Sequence, residues 1–153
     1  MDQHQIARRR LDARLSPLRE SDALTRPPRG WVRAIRDALG MTTGQLAQRL
    51  GVSQPRVSDI EKRETHDTIT LETLRKTAEA LNCTLVYALV PNQPLEQMAR
   101  ERARMIAEAQ IARMNHTMRL EDQGLTASDL AEERERLIEE LLRGDPRRLW
   151  DTP

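Results

Sequence analysis

The segment Met41–Glu61, MTTGQLAQRLGVSQPRVSDIE, constrains the fold of this chain most strongly. Thr42 stands at an N-cap position, and Gln45 three residues later can complete a capping box. Gly51 then supplies a turn, because a glycine adopts a left-handed backbone at little cost. Ser53 is suited to cap a second helix. The segment therefore predicts two short helices joined by a tight turn.

The two predicted helices have an apolar inner side and a polar leading end. Leu46 and Leu50 form a stripe at helical spacing, and Val57 and Ile60 face it from the second helix. Such a pair is typical of helix-turn-helix units, in which the front of the second helix enters the major groove of DNA. The side chains expected at the DNA are Thr43, Gln45, Ser53, Gln54, Pro55, Arg56, Ser58, Asp59, Lys62 and Arg63.

The expected contacts differ in chemistry. Gln54 can donate to and accept from adenine, whereas Arg56 suits guanine or a phosphate. Asp59 can accept from a cytosine amino group or repel the backbone at a wrong sequence. Lys62 and Arg63 either complement the dipole at the end of their helix or contact phosphate. Together these residues predict binding to a double-stranded DNA operator.

The segment Trp31–Leu81 resembles the helix-turn-helix module of phage-repressor-like (XRE) regulators. That family often has glutamine where this chain has Thr43, so its usual pair of glutamines at the DNA is in question here. Gln45 is offset by two residues, and it either contacts DNA or only caps its own helix. The resemblance implies a lambda-repressor-like fold.

Four further segments together resemble a narrower family, the "mobile mystery protein A" regulators. They are RPPRGW at 26–31, ALGM at 38–41, LVYALVP at 85–91 and MRLEDQ at 118–123. Members of that family are XRE-type regulators encoded beside a Fic-domain protein. The resemblance implies a transcriptional repressor that is also the antitoxin of a toxin-antitoxin system, with an adenylyltransferase-type Fic protein as its target.

The resemblance also implies an inhibitory element. Fic proteins are regulated by a helix carrying Ser or Thr, a Glu four residues later, and then Gly or Asn. Thr117, Glu121 and Asp122 approach this pattern, with Asp122 as the departure from it. The carboxylate of Glu121 would then pair with an arginine that otherwise holds a nucleotide phosphate. The alternative is that Glu121 is an ordinary surface residue.

Charge is distributed unevenly along the sequence. Residues 1–36 contain nine arginines against four acids, and residues 91–153 contain ten arginines against thirteen acids. The asymmetry predicts that nucleic acid meets the N-terminal part and a protein meets the rest, unless both are solvated helix faces. The arginines of an expected amphipathic helix at 3–19 either contact DNA or are exposed on a packed helix.

Most classes of enzyme and metal protein are disfavoured by the sequence. Cys83 is the only cysteine, and the three histidines have no second ligand at metal-binding spacing. Nucleophile–base groupings, paired carboxylates and phosphate-binding glycine loops do not stand out. We therefore expect no catalytic activity, no metal and no cofactor. Apolar stretches near 18 residues long are also missing, which predicts a soluble cytoplasmic protein.

The apolar run at 84–90, TLVYALV, predicts the one convincing β-strand of the chain. A single strand is not stable alone, so we expect it to pair with the same strand of a second copy in an antiparallel homodimer. A two-fold dimer also places two recognition helices about 34 Å apart, one turn of DNA. The alternative is pairing with another segment of the chain. The residues expected in the dimer strand are Leu85, Val86, Tyr87, Ala88 and Leu89.

The predicted fold is mostly α: a lambda-repressor-like helix-turn-helix domain with one short dimer-forming β-strand and a C-terminal helical hairpin. The expected divisions are a basic arm and linker at 1–26, the DNA-binding domain at 27–90, the hairpin at 91–145 and a tail at 146–153. Two alternatives to the antitoxin stay open. One is a phage-type regulator without a toxin partner, and the other is a protein-binding inhibitor whose helix-turn-helix no longer binds DNA.

The sequence also predicts which helix faces are buried. In the first domain helix we expect the core positions Trp31, Ile35, Ala38 and Leu39, with Arg36 at the DNA or in solvent. In the helix at 71–81 we expect the core positions Leu71, Leu74, Ala78 and Leu81.

Overall fold

The structure is a computed structural model that describes residues 2–120 and 125–151. Within these residues the chain is mostly helical, as predicted. Its α-helices are α1 (Gln3–Arg19), α2 (Trp31–Ala38), α3 (Thr43–Leu50), α4 (Gln54–Thr65), α5 (Leu71–Ala80), α6 (Leu95–Leu120) and α7 (Ala127–Arg143). Short 3₁₀ helices lie at Asp22–Leu24 and Pro146–Leu149. None of the helices in the described part is long and apolar enough to cross a membrane.

The chain divides into two compact units. One is Asp22–Leu89, which contains α2 to α5, and the other combines Met1–Ser21 with Val90–Pro153. The first helix therefore belongs to the same unit as the C-terminal helices. Its packing there is specific, because the Asp12 carboxylate accepts from the backbone N–H groups of Leu95 (2.7 Å) and Glu96 (3.2 Å) at the start of α6.

In the unit that contains α1, α6 and α7, the core is built around small residues on α6. Ala99, Ala103 and Ala107 follow one another at intervals of four, and all three are buried. Short side chains allow close helix packing, and Ile138 of α7 is fully buried in the same cluster. Leu149, within the region expected to be a tail, is buried there as well.

The predicted helix ends in the 22–89 unit are confirmed. Thr42 and Gln45 form a reciprocal capping box, and Gly51 ends α3 in the left-handed region at φ 69°. The Ser53 hydroxyl accepts from the N–H of Arg56, which caps α4. The core contains Val32, Leu46, Ala47, Val57 and Leu81, with Ile35, Met41, Leu50, Leu74, Ala80 and Cys83 packed against it.

The predicted buried face of α2 is right for Ile35, which packs against the core, and wrong for Trp31, Ala38 and Leu39, which are exposed. Val32 and Arg36 are buried, whereas Trp31 is 40% exposed and Leu39 is 59% exposed. The physical reason is that two buried carboxylates of α4 fix the orientation of α2. Glu64 binds the N-terminus of α2, and Glu61 binds the side chain of Arg36, as described below. On α5, Leu71 is likewise exposed, and Thr77 is fully buried.

The predicted β-strand is wrong for the single chain: the described residues contain no strand. Residues 84–90 follow α5 without regular secondary structure, and Val86, Tyr87 and Leu89 are 73%, 61% and 82% exposed. A strand needs a neighbouring strand to satisfy its backbone donors and acceptors. Since the described chain offers no second strand, the segment remains without regular structure, and most of its residues are exposed.

Candidate nucleic-acid interface

Helix α4 has one buried face and one exposed face. Val57, Ile60, Glu61 and Glu64 are buried, at the i, i+3, i+4, i+7 spacing of one helical stripe. The opposite side forms what we call the recognition face, which consists of Gln54, Pro55, Arg56, Ser58, Asp59, Lys62 and Arg63. Asp59 is half-buried and the other six are exposed. Several of them, Gln54, Pro55, Ser58, Asp59 and Lys62, line a shallow open groove.

A buried ion pair fixes α4 against α2. The Arg36 Nε donates to Glu61 Oε1 at 2.6 Å, and Arg36 Nη2 donates to Oε2 at 3.3 Å. Both side chains are only 9% exposed. The hydrogen bond that Arg36 donates to Glu61 raises the pKa of Arg36 above its ordinary value, so the guanidinium stays charged. Because Arg36 Nη1 also donates to the carbonyl of Met41 at 2.8 Å, the same side chain positions the entry to α3.

A second buried carboxylate on α4 caps the N-terminus of α2. Glu64 is 4% exposed, and it accepts from the backbone N–H groups of Trp31 (2.8 Å) and Val32 (3.0 Å). A carboxylate at a helix N-terminus is favoured by the helix dipole and by the unpaired N–H groups there. Gly30, at φ 89°, lets the chain approach this carboxylate closely.

The leading ends of α3 and α4 are joined by one side-chain hydrogen bond. Gln54 Nε2 donates to the hydroxyl of Thr43 at 2.9 Å. An amide nitrogen carries two hydrogens, so Gln54 retains one N–H and its carbonyl oxygen. A donor and an acceptor side by side are what an adenine edge requires in the major groove. Thr43 thus holds Gln54 in a defined direction at the front of α4.

Gln45 is engaged with its own helix. Its Oε1 accepts from the backbone N–H of Thr42 at 2.9 Å, which is its half of the capping box. The geometry matches the cap that the sequence left open as one of two alternatives. A DNA contact by Gln45 stays a prediction.

The charged residues of the recognition face are arranged around one carboxylate. Asp59 Oδ2 accepts from Arg56 Nη1 at 2.8 Å and from Arg63 Nε at 2.9 Å. Lys62 is exposed and makes no ion pair within the described residues. The face therefore has three cations and one anion, which leaves it positive.

The residues predicted to inhibit a partner are only partly described. Thr117 is exposed on α6, and its hydroxyl donates to the carbonyl of Arg113 at 3.1 Å. Glu121 and Asp122 lie outside the described residues. Among the residues described, no group of three or more His, Cys, Asp or Glu side chains is placed to hold a metal ion.

Three residues that hold the site together were missed at the sequence level. Arg36 was expected at the DNA or in solvent, and Glu61 and Glu64 were not assigned a role. A signal existed in the spacing, because Glu61 and Glu64 continue the stripe begun by Val57 and Ile60. An acid on an apolar stripe indicates a buried partner.

A known protein family matches the part of the chain that contains the recognition face. The sequence profile of the helix-turn-helix family matches residues 32–87, which contain nearly all of α2, the whole of α3 to α5 and the segment that follows. The match supports an XRE-like, DNA-binding transcription regulator. No curated protein matches the chain, and no solved structure does.

Proposed function

We propose that this protein is a sequence-specific DNA-binding repressor that acts by binding and not by catalysis. The observation that carries the proposal is the exposed front of α4, where Gln54 is aligned by Thr43 and Arg56, two residues later, is also exposed. Gln54 contacts an adenine edge and Arg56 contacts guanine. Lys62 and Arg63 contact phosphates, so that affinity falls as salt rises. The proposed location of this repressor is the cytoplasm.

A DNA-binding titration tests this proposal. The promoter of the protein's own gene is used as a labelled duplex, and Gln54→Ala and Arg56→Ala are compared with wild type. Each variant should lose about 5- to 150-fold in affinity, since a bidentate base contact is worth about 1–3 kcal/mol. Gln48→Ala and Arg75→Ala remove the same groups from exposed positions on α3 and α5 and should bind as wild type does. Equal binding by all four variants contradicts the proposal.

Thr43 provides a finer test of the alignment. Thr43→Val keeps the shape of the side chain and removes the hydroxyl that accepts from Gln54. We expect a smaller loss of affinity than in Gln54→Ala, confined to operators with the preferred base at the Gln54 position. A uniform loss on all sequences would instead indicate that Thr43 contacts phosphate.

We also propose that the repressor is a homodimer paired through residues 85–89. This segment has β-forming side chains and large exposed apolar groups, and backbone hydrogen bonds do not engage it within the described chain. An antiparallel partner strand satisfies its backbone and covers Val86, Tyr87 and Leu89. Light scattering at micromolar concentration should give the mass of a dimer. Val86→Pro removes a backbone donor and should be monomeric, whereas Val86→Thr should remain dimeric. A monomeric wild type contradicts this part.

The proposed partner is the Fic-domain protein encoded by the adjacent gene, to which this chain is an antitoxin. The proposal rests on the resemblance of four sequence segments, and on the acidic C-terminal residues as the side that meets a protein. Co-expression with the neighbouring reading frame should yield a stable complex. Glu121→Ala should leave that complex intact and restore transferase activity if the inhibitory pattern is used. A neighbour that never co-purifies supports the regulator without a toxin.

A further inference from the structure

Three charged side chains on the recognition face act as one group. We propose that Asp59 is a specificity-determining residue. It positions Arg56 and Arg63, and it partly neutralises their positive charge, which weakens binding to non-specific DNA. The inference deepens the proposed function and rests on it. It differs from the roles expected from the sequence, in which Asp59 itself meets a base or repels the backbone.

The geometry joins both arginines to one oxygen atom. Arg56 lies three residues before Asp59 and Arg63 four residues after it, so both reach the carboxylate along the same side of α4. Asp59 Oδ2 accepts from both, at 2.8 Å and 2.9 Å. Both arginines bind Oδ2, so this oxygen is already occupied before DNA is bound. The carboxylate is therefore placed to orient the two arginines.

The exposure of these ion pairs to solvent determines whether they contribute to stability or to orientation. The side chains of Arg56, Asp59 and Arg63 are 42%, 43% and 53% exposed, and ion pairs in solvent add little to stability. Their main consequence is orientation, because a free arginine side chain must lose its rotamer freedom when it binds. Arg56 uses Nη1 for Asp59, which leaves its other N–H donors for a base edge. Its direction is thus set before DNA arrives.

Charge provides the second part of the effect. Binding to arbitrary DNA depends on the number of phosphates that cations neutralise. Asp59 cancels one of the two positive charges of its arginines, so it weakens this sequence-independent attraction. A base contact depends more on direction than on net charge and is weakened less. The carboxylate therefore increases the ratio of specific to non-specific affinity.

Asp59→Asn separates these effects from folding, because it retains the shape and removes the charge. The specific probe is the duplex that wild-type protein selects from a randomised pool, and the non-specific probe is sheared genomic DNA. Non-specific binding should tighten by roughly three- to tenfold, with a salt slope steeper by about one. The ratio of specific to non-specific affinity should fall by about tenfold. Glu72→Gln removes an equal charge from the exposed Glu72–Lys76 pair on α5 and should change neither quantity.

The outcomes separate the inference from the proposed function. An unchanged affinity ratio in Asp59→Asn, or weaker non-specific binding, overturns the inference while the repressor proposal stands. Asp59→Glu retains the charge and should keep the low non-specific affinity; if it behaves as Asp59→Asn does, the inference is also overturned. A wild-type protein that selects no sequence contradicts the proposed function, and with it this inference.

Discussion

The buried pair between Arg36 and Glu61 makes Glu61→Ala the most informative perturbation of stability. Each side chain is 9% exposed, and the variant leaves a charged guanidinium in the interior. Breaking a buried pair from one side costs about 3–5 kcal/mol. Arg36 Nη1 retains the carbonyl of Met41 and the Asp37 carboxylate at 3.1 Å, which favours the lower end, about 3 kcal/mol. For a unit of this size the melting temperature should fall by roughly 12 °C or more.

A double variant separates loss of the pair from loss of shape. Arg36→Met with Glu61→Leu replaces both charges by apolar side chains, and such replacements are often neutral. We expect most of the stability to return, with about 1 kcal/mol still missing because the Met41 carbonyl loses its donor. The coupling between the two positions follows from the four-member cycle of variants.

Thermal and urea unfolding followed by circular dichroism measure these changes. The loss in Glu61→Ala should be nearly the same at low and high salt, because buried charges are screened little. Glu72→Ala, which breaks an exposed pair on α5, should stay within about 1 kcal/mol of wild type. A Glu61→Ala protein that melts within a few degrees of wild type would refute the reasoning.

Three further predictions concern other contacts. Gly30→Ala should destabilise the domain by about 2 kcal/mol or more, measured by urea unfolding, because Gly30 is at φ 89° and the new Cβ would lie 2.6 Å from the buried Glu64 Oε1. Hydrogen bonds from Thr126 lower the pKa of Asp129 below its ordinary 3.8. This capping box therefore stabilises the fold above pH 3.8, and its contribution is lost as the pH falls through the pKa of Asp129 in the folded protein. An NMR titration that gives Asp129 a pKa at or above 3.8 contradicts this prediction. Ile138→Ala should cost about 2–5 kcal/mol by unfolding, because Ile138 is fully buried.

The helix ends could be predicted because they depend on neighbouring residues. Thr42 and Gln45 are three residues apart, and so are Ser53 and Arg56, so the sequence alone brings each donor to its acceptor. The exposed polar residues at the front of α4 could likewise be predicted from the local sequence. Local chemistry thus specified α3, the turn and α4 together, and with them the candidate site.

The register of α2 and the state of residues 84–90 could not be predicted in this way. Trp31 is the largest apolar residue of α2, yet its backbone N–H donates to Glu64 and the residue remains 40% exposed. That contact spans 33 positions in the sequence, and an apolar pattern within one helix does not encode it. Residues 84–90 have strong β-forming side chains, but a strand exists only where a partner strand is present.

Helix α4 explains why binding and stability can be altered separately in this domain. Its inward stripe, from Val57 to Glu64, includes both carboxylates that fix α2, so substitutions there loosen the whole helix pair. Within the described residues, the hydrogen bonds and ion pairs of its outward face run along α4 itself, except for the bond from Gln54 to Thr43. A variant of Arg56 or Asp59 should therefore change DNA binding at constant melting temperature. A variant of Glu61 should lower both together, because it removes the support on which the recognition face rests.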